Sequence, residues 1–443
     1  VVRPEISKEK LGKIVDDITH RGINLVQLAD WYPAWGVIVP KTDVYIRSRP
    51  LSHVEVSVEK IRLLGELLHK KGIKLIGYDE ICSDKYVIYG PLSILNDGKR
   101  YSIPFYFNIE KRFPEGKPIA FYNPEWGYEA NLLDISSLYI SEMKKSISMF
   151  GWDGFFFDSF SWIAEATSFG KNKDGKPITN FSPDKVMYNF LKKMQKQTGK
   201  NFAFIGNMGL HDGYPFPPIS PELATYKEAA NLLSGWCIEI PGKPLVKKSS
   251  IYPQTFLELV KTYKNLRGIY PKTNFFVVYN SGAVTGLMPE QIKTLWALAH
   301  GSGLGVYYNA PPYYTIFSLF YGNLLYSPDL VETDNINVNI EGEFIKLCKE
   351  LTYRNNKDNF YIIHLINVKE DSICWDRSEI KERENLKMEI TFKQPEQIKD
   401  IYYIDADGDE IGEIKKIGFK KVNNTIEFVI PKLYVWGIVL IVR

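Results

Sequence analysis

Cysteine and histidine are scarce in this 443-residue chain, and their spacing excludes whole classes of site. The four cysteines, Cys82, Cys237, Cys348 and Cys374, lie far apart and form no CxxC pair, which argues against a structural zinc site and against a disulfide framework. The six histidines are isolated from one another, so a zinc hydrolase is disfavoured. We therefore expect neither a metal site nor any other cofactor.

Other signals are also missing. No apolar run reaches the length of a membrane span, and no signal peptide is found in the chain as given, which starts at Val1 as a processed chain would. Lys and Arg are scattered and the net charge is only +3, so neither nucleic acid nor an acidic polymer is an expected partner. The sequence has no GxSxG elbow and no glycine-rich phosphate loop, which disfavours an α/β-hydrolase and nucleotide chemistry.

A recurring order of helix, glycine turn, short apolar strand and polar loop fills about the first 310 residues, and a transition with one further helix, at residues 341–351, follows. Eight units follow this order, and helical runs link seven of them. The third strand, residues 117–122, has the weakest pattern. The predicted strands are residues 23–29, 73–78, 117–122, 155–157, 202–207, 233–239, 274–280 and 303–308. Their number and order fit one (β/α)8 TIM barrel better than a doubly wound sheet.

After Asn356 the pattern changes to short alternating strands separated by turns, as in residues 360–367 and 435–442. This pattern is typical of an all-β sandwich. Residues 405–410 are rich in acidic side chains, but their spacing does not match an EF-hand loop, so we predict a hairpin turn there. The prediction is thus an α/β protein with a (β/α)8 TIM barrel in residues 1–355 and a C-terminal all-β sandwich in residues 356–443.

Residues 151–159 contain the most informative strand. A glycine turn is followed by Phe155, Phe156 and Phe157, which predict a strand buried on both faces, and then by Asp158. Because the carboxyl ends of barrel strands open into the active-site mouth, Asp158 is a candidate catalytic nucleophile. The alternative is that it caps the next element or pairs with a basic neighbour. Asp153 precedes the strand, where a turn or stability role is expected.

Carboxylate, amide and aromatic residues follow the other predicted strands. Glycoside cleavage uses one carboxylate at the anomeric centre and a second, protonated one at the leaving oxygen. Glu239 is the candidate acid/base because its apolar strand suits a protonated carboxyl group; the alternative is an ion-paired residue at the rim. Amides and Tyr can bind sugar hydroxyls, and Trp can stack on sugar rings. The expected substrate-binding residues are Asp30, Trp31, Tyr78, Asn123, Asn207, Trp236, Asn280 and Asn309.

Several of these segments resemble one known family. They are, in chain order, Leu28-Ala29-Asp30-Trp31, Ile73-Lys74-Leu75-Ile76-Gly77-Tyr78, Tyr122-Asn123-Pro124-Glu125-Trp126, Trp152-Asp153-Gly154-Phe155-Phe156-Phe157-Asp158 and His364-Leu365-Ile366-Asn367. They are similar to segments of glycoside hydrolase family 66, the dextranases and cycloisomaltooligosaccharide glucanotransferases. The resemblance covers most of the chain through short motifs.

This resemblance implies a retaining, endo-acting glycoside hydrolase for a dextran-like α-glucan with α-1,6-linked glucose. Its nucleophile falls on Asp158 and its general acid/base on Glu239. The implied partner is an oligo- or polysaccharide, with no nucleic acid and no membrane. The resemblance also favours secretion, while the sequence alone leaves a cytoplasmic location open and does not determine the oligomeric state.

Two other functions compete with this one. A degenerate barrel could keep an aromatic cleft without a working carboxylate pair and act as a non-catalytic carbohydrate-binding protein. The same barrel could also carry a glycosidase for another sugar, such as an α-galactoside, since fold alone does not define the substrate. Incubation with a panel of α-glucans separates cleavage from binding.

Overall fold

A computed structural model describes residues 2–29, 31–33, 39–49, 52–80, 93–94, 100–101, 135–158, 183–208, 227–240, 255–269, 274–279, 288–307, 313–342, 344–372 and 380–443. The chain divides into two compact units. The first contains Val1–Gly209, Ser220–Ile238 and Tyr270–Asn274, and the second contains Leu210–Ile219, Glu239–Ile269 and Phe275–Arg443.

The first unit alternates helices with strands. Its elements are α1 (Lys8–His20), β1 (Leu25–Leu28), β2 (Val44–Arg49), β3 (Ser52–Ser57), α2 (Val58–Lys70), β4 (Lys74–Glu80), β5 (Ser93–Ile94), β6 (Arg100–Tyr101), α3 (Ile135–Phe150), β7 (Gly154–Asp158), α4 (Pro183–Thr198), β8 (Ala203–Met208), α5 (Lys227–Ala230) and β9 (Gly235–Ile240), whose last two residues belong to the second unit.

The main sheet of this unit is parallel. β1 pairs with β4, β4 with β7, β7 with β8 and β8 with β9. From β7 to β9 this is the strand order expected for successive βα units of a barrel. β4 and β7, however, are the second and fourth predicted strands, and they pair directly along Ile76–Glu80 and Gly154–Asp158, so the predicted third strand does not lie between them as an eight-stranded barrel in chain order requires. Residues 117–122 themselves lie outside the described residues. The hairpin of β2 and β3 was not predicted, and its strands pair antiparallel.

The predicted succession of helix, glycine and strand is confirmed along this unit. Ser7 begins α1 by accepting a hydrogen bond from the Lys10 amide at 3.1 Å, a side-chain cap that satisfies one free N–H of the first turn. At the other end of the helices, Gly72 and Gly151 adopt left-handed conformations with φ of 74° and 77°. Glycine has no Cβ to oppose that conformation, so each helix can end and the chain can turn directly into the next strand.

The strand β7 is buried on both faces, as predicted. Phe157 stacks on Phe204 of β8 with ring centroids 6.1 Å apart and also meets Phe190 of α4 edge-on at 5.7 Å. Phe156, on the opposite face, stacks on Tyr78 of β4 at 5.9 Å. Successive residues of a strand point to opposite faces, so one face of the sheet carries the helices and the other carries the Tyr78–Phe156 pair.

The second unit begins with helices and one parallel strand pair, then becomes mainly β. Its elements are α6 (Phe256–Ile269), β10 (Asn274–Tyr279), whose first residue belongs to the first unit, α7 (Pro289–Gly301), β11 (Gly305–Tyr307), α8 (Thr315–Phe320), α9 (Gly322–Leu325), β12 (Leu330–Glu332), β13 (Ile336–Ile340), α10 (Ile345–Glu350), β14 (Thr352–Asn355), β15 (Phe360–Ile366), β16 (Arg383–Phe392), β17 (Asp400–Asp405), β18 (Glu413–Ile417), β19 (Phe419–Val422), β20 (Thr425–Leu433) and β21 (Trp436–Val442).

Two antiparallel sheets form the C-terminal part of this unit. One has the order β12-β14-β15-β21-β17-β18 and the other β13-β16-β20-β19. A single hydrophobic cluster contains residues from both sheets, among them Ile363, Met388, Phe428 and Val439. A shared core of this kind is what a sandwich requires. The complete eight-stranded barrel, the sandwich and the boundary at residue 355 stay predictions.

The acidic residues 405–410 form the turn between β17 and β18, as predicted. Asp407 is buried there and accepts hydrogen bonds from the amides of Val435 and Trp436 at 2.9 and 2.8 Å, and from the hydroxyl of Tyr314 at 2.7 Å. Lys293 of α7 lies 3.3 Å from the same carboxylate. Asp407 therefore joins the turn to α7 and to the start of α8, and these contacts occupy its oxygens.

Candidate active site

The carboxyl ends of β4, β7 and β8 bring polar residues to one level of the first unit's sheet. Glu80 of β4 is in register with Asp158 of β7. Phe157 is in register with Gly206, so Asp158 lies beside Asn207 of β8. Strands in register share the direction of their side chains, and positions 80, 158 and 207 therefore belong to the same face as Tyr78 and Phe156.

Asn207 is the best described of these residues. Its side chain is only 4% exposed, although amides are usually found at the protein surface. Its backbone is in register with Cys237 of β9, which is also buried. A buried amide at the end of a parallel strand is well placed to fix a neighbouring polar group, because buried polar atoms need hydrogen-bond partners.

The backbones of the two predicted catalytic residues lie within strands. Asp158 is the last residue of β7, and Glu239 is the penultimate residue of β9. Both therefore occupy carboxyl ends of strands, as predicted. The side chains of both residues lie outside what the structure describes. Asp158 belongs to the first unit and Glu239 to the second, since the first unit's part of β9 ends at Ile238. Their catalytic roles stay predictions.

The two predicted stacking tryptophans are fully buried. Trp31 packs edge-on against Phe150 and Trp152, with ring centroids 5.2 and 5.0 Å away, and its indole N–H donates to the carbonyl of Tyr78 at 2.7 Å. Trp236 is buried to the same extent in β9. These environments favour packing roles for both rings, and contact of either with a sugar stays a prediction.

Glycine at position 77 makes the packing of Trp31 possible. A Cβ atom built on Gly77 would lie 3.2 Å from the indole nitrogen of Trp31 and 3.1 Å from the ring of Phe155. Those distances are shorter than ordinary contacts, so any larger residue would displace one ring. The indole thereby reaches the Tyr78 carbonyl and supports the backbone just before the end of β4.

Four of the predicted substrate-binding residues fall outside the described part of the chain: Asp30, Asn123, Asn280 and Asn309. Of the rest, the structure brings Tyr78 and Asn207 to the same face and end of the sheet. Tyr78 is half-buried, and its ring rests on Phe156.

Asp79 and Glu80 directly follow the predicted second strand, residues 73–78, and as strand-end residues they were expected at the same mouth, although neither was assigned a catalytic or substrate-binding role. In the structure β4 extends to Glu80, so both lie inside the strand. Asp79 is only 4% exposed, and Glu80 is in register with Asp158. The signal that could have placed them in the strand is its length, since no Gly or Pro follows Gly77 before position 80 to end it.

The opposite, amino-terminal end of β7 carries a charged cluster with a structural role. Asp153 accepts hydrogen bonds from the Leu75 amide at 2.8 Å, from His69 Nε2 at 2.7 Å and from Lys74 Nζ at 3.1 Å. Partial burial by itself would raise the pKa of Asp153, but these three donors outweigh it and hold the pKa below its ordinary value. The expected stability role is consistent with these contacts.

The described residues contain no group of three or more His, Cys, Asp or Glu side chains arranged to hold a metal ion. Within the same residues, no helix is both long enough and apolar enough to cross a membrane.

Residues 309–440 match the family model described as Glycosyl hydrolase family 66. The chain resembles this family. The match confirms the resemblance predicted from the sequence and, with it, the predicted class of enzyme, a glycoside hydrolase. No curated protein matches the chain.

Solved structures similar to the chain include family 66 and amylase enzymes. A cycloisomaltooligosaccharide glucanotransferase from Paenibacillus sp., complexed with cycloisomaltoheptaose, is 12% identical with a TM-score of 0.69, and the match covers 99% of this chain and 84% of that one. An α-amylase from Geobacillus thermoleovorans, complexed with acarbose, is 12% identical with a TM-score of 0.50, over 99% and 92% of the two chains. At this identity the likeness concerns the fold, which in these relatives is of the TIM-barrel type.

Proposed function

We propose that this family 66-like chain is a retaining glycoside hydrolase that acts on an α-glucan, with Asp158 as nucleophile and Glu239 as general acid/base. The observation that carries the proposal is the placement of polar residues at the carboxyl ends of neighbouring strands, with Asp158 beside Asn207 and Glu239 near the end of the next strand. The similarity to a glucanotransferase that was solved with a cyclic isomaltooligosaccharide supports a glucan substrate.

The proposed reaction has two steps. The Asp158 carboxylate attacks the anomeric carbon and forms a glycosyl ester, while the bond to the leaving oxygen breaks and that oxygen takes the Glu239 proton. Glu239, now ionised, then removes a proton from water, whose oxygen attacks the anomeric carbon and releases Asp158. If a sugar hydroxyl replaces water in the second step, the same residues catalyse transfer. A retaining mechanism requires the two carboxyl groups about 5–5.5 Å apart.

Asn207 and Tyr78 have supporting roles in this proposal. Asn207 lies at the level of Asp158 and is buried, so its amide can hydrogen-bond to a nucleophile or to a substrate hydroxyl next to it. Tyr78 lies one layer deeper, stacked on Phe156, where it can form part of the floor of the site. Neither role requires a metal or a cofactor.

The proposal is tested with Asp158→Asn and Glu239→Gln. Each change removes one charge or one transferable proton with little change in volume, so each should lower kcat by about a thousandfold or more while the melting temperature stays close to that of the parent. Asp334→Asn and Glu384→Gln, at exposed positions, are matched controls and should keep full activity. Reducing ends and cyclic products released from dextran and other α-glucans are measured.

Azide rescue separates the two roles. With an activated aryl glucoside, Glu239→Ala should form a glycosyl azide of the substrate's own anomeric configuration, because azide attacks the Asp158 ester. Asp158→Ala should give the opposite configuration, because azide attacks the substrate directly. Full activity in either of the variants Asp158→Asn and Glu239→Gln would refute the assignment, and azide products of exchanged configuration would reverse the two roles.

A further inference from the structure

The second unit has a large open groove on the solvent face of the sheet β13-β16-β20-β19. The groove has a volume of about 1090 Å³ and is lined by residues of all four strands and of the turn between β18 and β19. Three of the strands, β13, β16 and β20, alternate between buried and exposed positions, so their outward residues form a mainly polar surface. None of these residues takes part in the proposed reaction.

One row of exposed side chains crosses the four strands at the floor of the groove. Asn339 is in register with Glu389, Glu389 with Glu427, and Glu427 with Lys420. Neighbouring strands lie about 4.8 Å apart, so this row extends about 14 Å. That length suits an extended ligand that touches several side chains in succession.

The row contains an arrangement that opposes stability. Glu389 and Glu427 are directly opposite each other, and like charges in this position destabilise a sheet. The side chain of Glu389 receives a hydrogen bond from Asn339 at 3.3 Å. Within the described part of the chain, the side chains of Glu427 and its neighbour Lys420 have no ion pair or hydrogen bond. A face that served only as a solvated surface would gain from pairing opposite charges here.

The charges of the groove also balance. Three glutamates, at positions 341, 389 and 427, and three lysines, at positions 387, 416 and 420, line it. A groove without net charge has no electrostatic preference for a polyanion or a polycation. It does offer acceptors, donors and the amides of Asn339 and Asn385, which suit a neutral ligand rich in hydroxyl groups. Val429, which is 44% exposed, adds apolar contact for the carbon face of such a ligand.

We propose that this groove is a second carbohydrate-binding site, which holds a neutral glucan chain through hydrogen bonds to Glu389, Glu427, Asn339 and Lys420. The choice of glucan as ligand rests on the proposed function. The site binds but does not cleave. It would increase the time that the enzyme stays on a long polymer, and it would have no effect on short substrates.

The test uses the full chain with Asp158→Asn, which prevents digestion, in native gels that contain dextran, pullulan or glycogen. The double change Glu389→Ala/Glu427→Ala should weaken binding to at least one of these polymers, measured by the retardation of the chain in the gel, about fivefold. Glu384→Ala, on the same strand but outside the groove, should not change it. Because the double change removes a repulsion, the melting temperature should stay constant or rise, so that weaker binding cannot be attributed to unfolding.

The outcomes separate this inference from the proposed function. Equal retardation of the double variant and its parent would refute the proposed binding site in the groove. So would the absence of retardation of the parent by any of the three polymers, even if the wild-type chain cleaves short oligosaccharides. Conversely, a wild-type chain that cleaves no glucan but is retarded through Glu389 and Glu427 would refute the proposed function and support the groove. With Asp158 restored, the groove variant should cleave a short aryl isomaltooside at the parental rate and dextran more slowly.

Discussion

At the scale of single residues, Asp153 shows how one carboxylate can connect several elements. It lies just before β7 and accepts hydrogen bonds from the Leu75 amide of β4, from His69 of α2 and from Lys74. Its side chain is 20% exposed, so solvent screens these contacts only in part. Hydrogen bonds to charged groups of this kind contribute about 1.5–3 kcal/mol each to stability.

We expect Asp153→Asn to lower the free energy of unfolding by about 1.5–3 kcal/mol at pH 7, because the charged acceptor is lost. The pKa of Asp153 is lower in the folded chain than in the unfolded chain. Its stabilising effect is therefore present above about pH 4 and disappears as the pH falls through the folded pKa. The difference between the two proteins should shrink on acidification.

Urea unfolding of the parent and the Asp153→Asn variant, measured from pH 7 to pH 3, checks this prediction. The cleavage of a short substrate at pH 7 should be unchanged, since Asp153 lies at the end of β7 opposite to Asp158. A stability difference that is independent of pH would show that the carboxylate charge is not the source of the effect.

The role of Asp153 could be predicted from the sequence because its position relative to the strand is local information. Its partners could not, since His69 and Leu75 come from a different βα unit. The same limit applies to Trp31. An aromatic residue after the first strand was expected in the mouth of the site, but the absence of a side chain at Gly77 leaves a place for it in the core.

At the scale of elements, the contact between β7 and β8 depends on a glycine. A Cβ built on Gly154 would clash with the carbonyl oxygen of Ala203 and would lie 2.8 Å from the Cβ atom of Ala203. Neither atom can move without displacing the backbone of β8. Gly154 thus allows β7 to pair closely with its neighbour just before the aromatic residues that form the core.

We expect Gly154→Ala to destabilise the chain by about 3 kcal/mol, because the strands must separate to admit the methyl group. Gly12→Ala is the matched control. Gly12 lies within α1 with nothing inside 4 Å of its would-be Cβ, and the same change there should stabilise the chain by about 0.5–1 kcal/mol. Thermal and urea unfolding measure both variants, and the same sign for both changes would contradict the packing argument.

Element type was predictable where apolar residues were periodic and a glycine followed. The strands from β7 to β9 are found close to their expected positions. The hairpin of β2 and β3 was missed because its outward residues include Val44 and Ile46, which are 45% and 58% exposed and hide the alternation. The second predicted strand, residues 73–78, ended too early: β4 extends to Glu80, and Asp79 is buried within it although acidic residues are usually exposed.

At the scale of the whole molecule, we expect two buried histidines to make the stability of the second unit decrease at acidic pH. Trp436 of β21 lies between His300 of α7 and His364 of β15, with ring centroids 5.9 and 6.0 Å away. Both histidines are 1% exposed, and burial lowers the pKa of each to about 3. Their burial gives both histidines a place in the core of the second unit.

Between the ordinary pKa of 6.5 and the folded value of about 3, the unfolded chain takes up protons that the folded chain does not. Stability therefore falls with decreasing pH, by about 1.4 kcal/mol per pH unit for each histidine. We expect His364→Phe, which keeps an aromatic ring against Trp436, to remove one of these two contributions. Its stability should decline less steeply than that of the parent below about pH 6.

Urea unfolding at half-unit pH steps, followed by tryptophan fluorescence, measures the two slopes. Above pH 7 both histidines are neutral in the folded and unfolded chains, so the two curves should run parallel there, which serves as the internal control. Identical slopes between pH 6 and pH 4 would show that His364 takes up its proton without unfolding.

The sequence by itself determined the kinds of element, their order, the change from βα units to alternating strands, and the chemical class of the strand-end residues. All of these depend on patterns within a few neighbouring residues, such as apolar periodicity, glycine turns and the residue that follows a strand. Only the tertiary structure decided the strand register, which aligns Glu80 with Asp158, and the burial of Trp31, Trp236 and Asn207. Register and burial arise from contacts between residues far apart in the chain, and no local pattern contains that information.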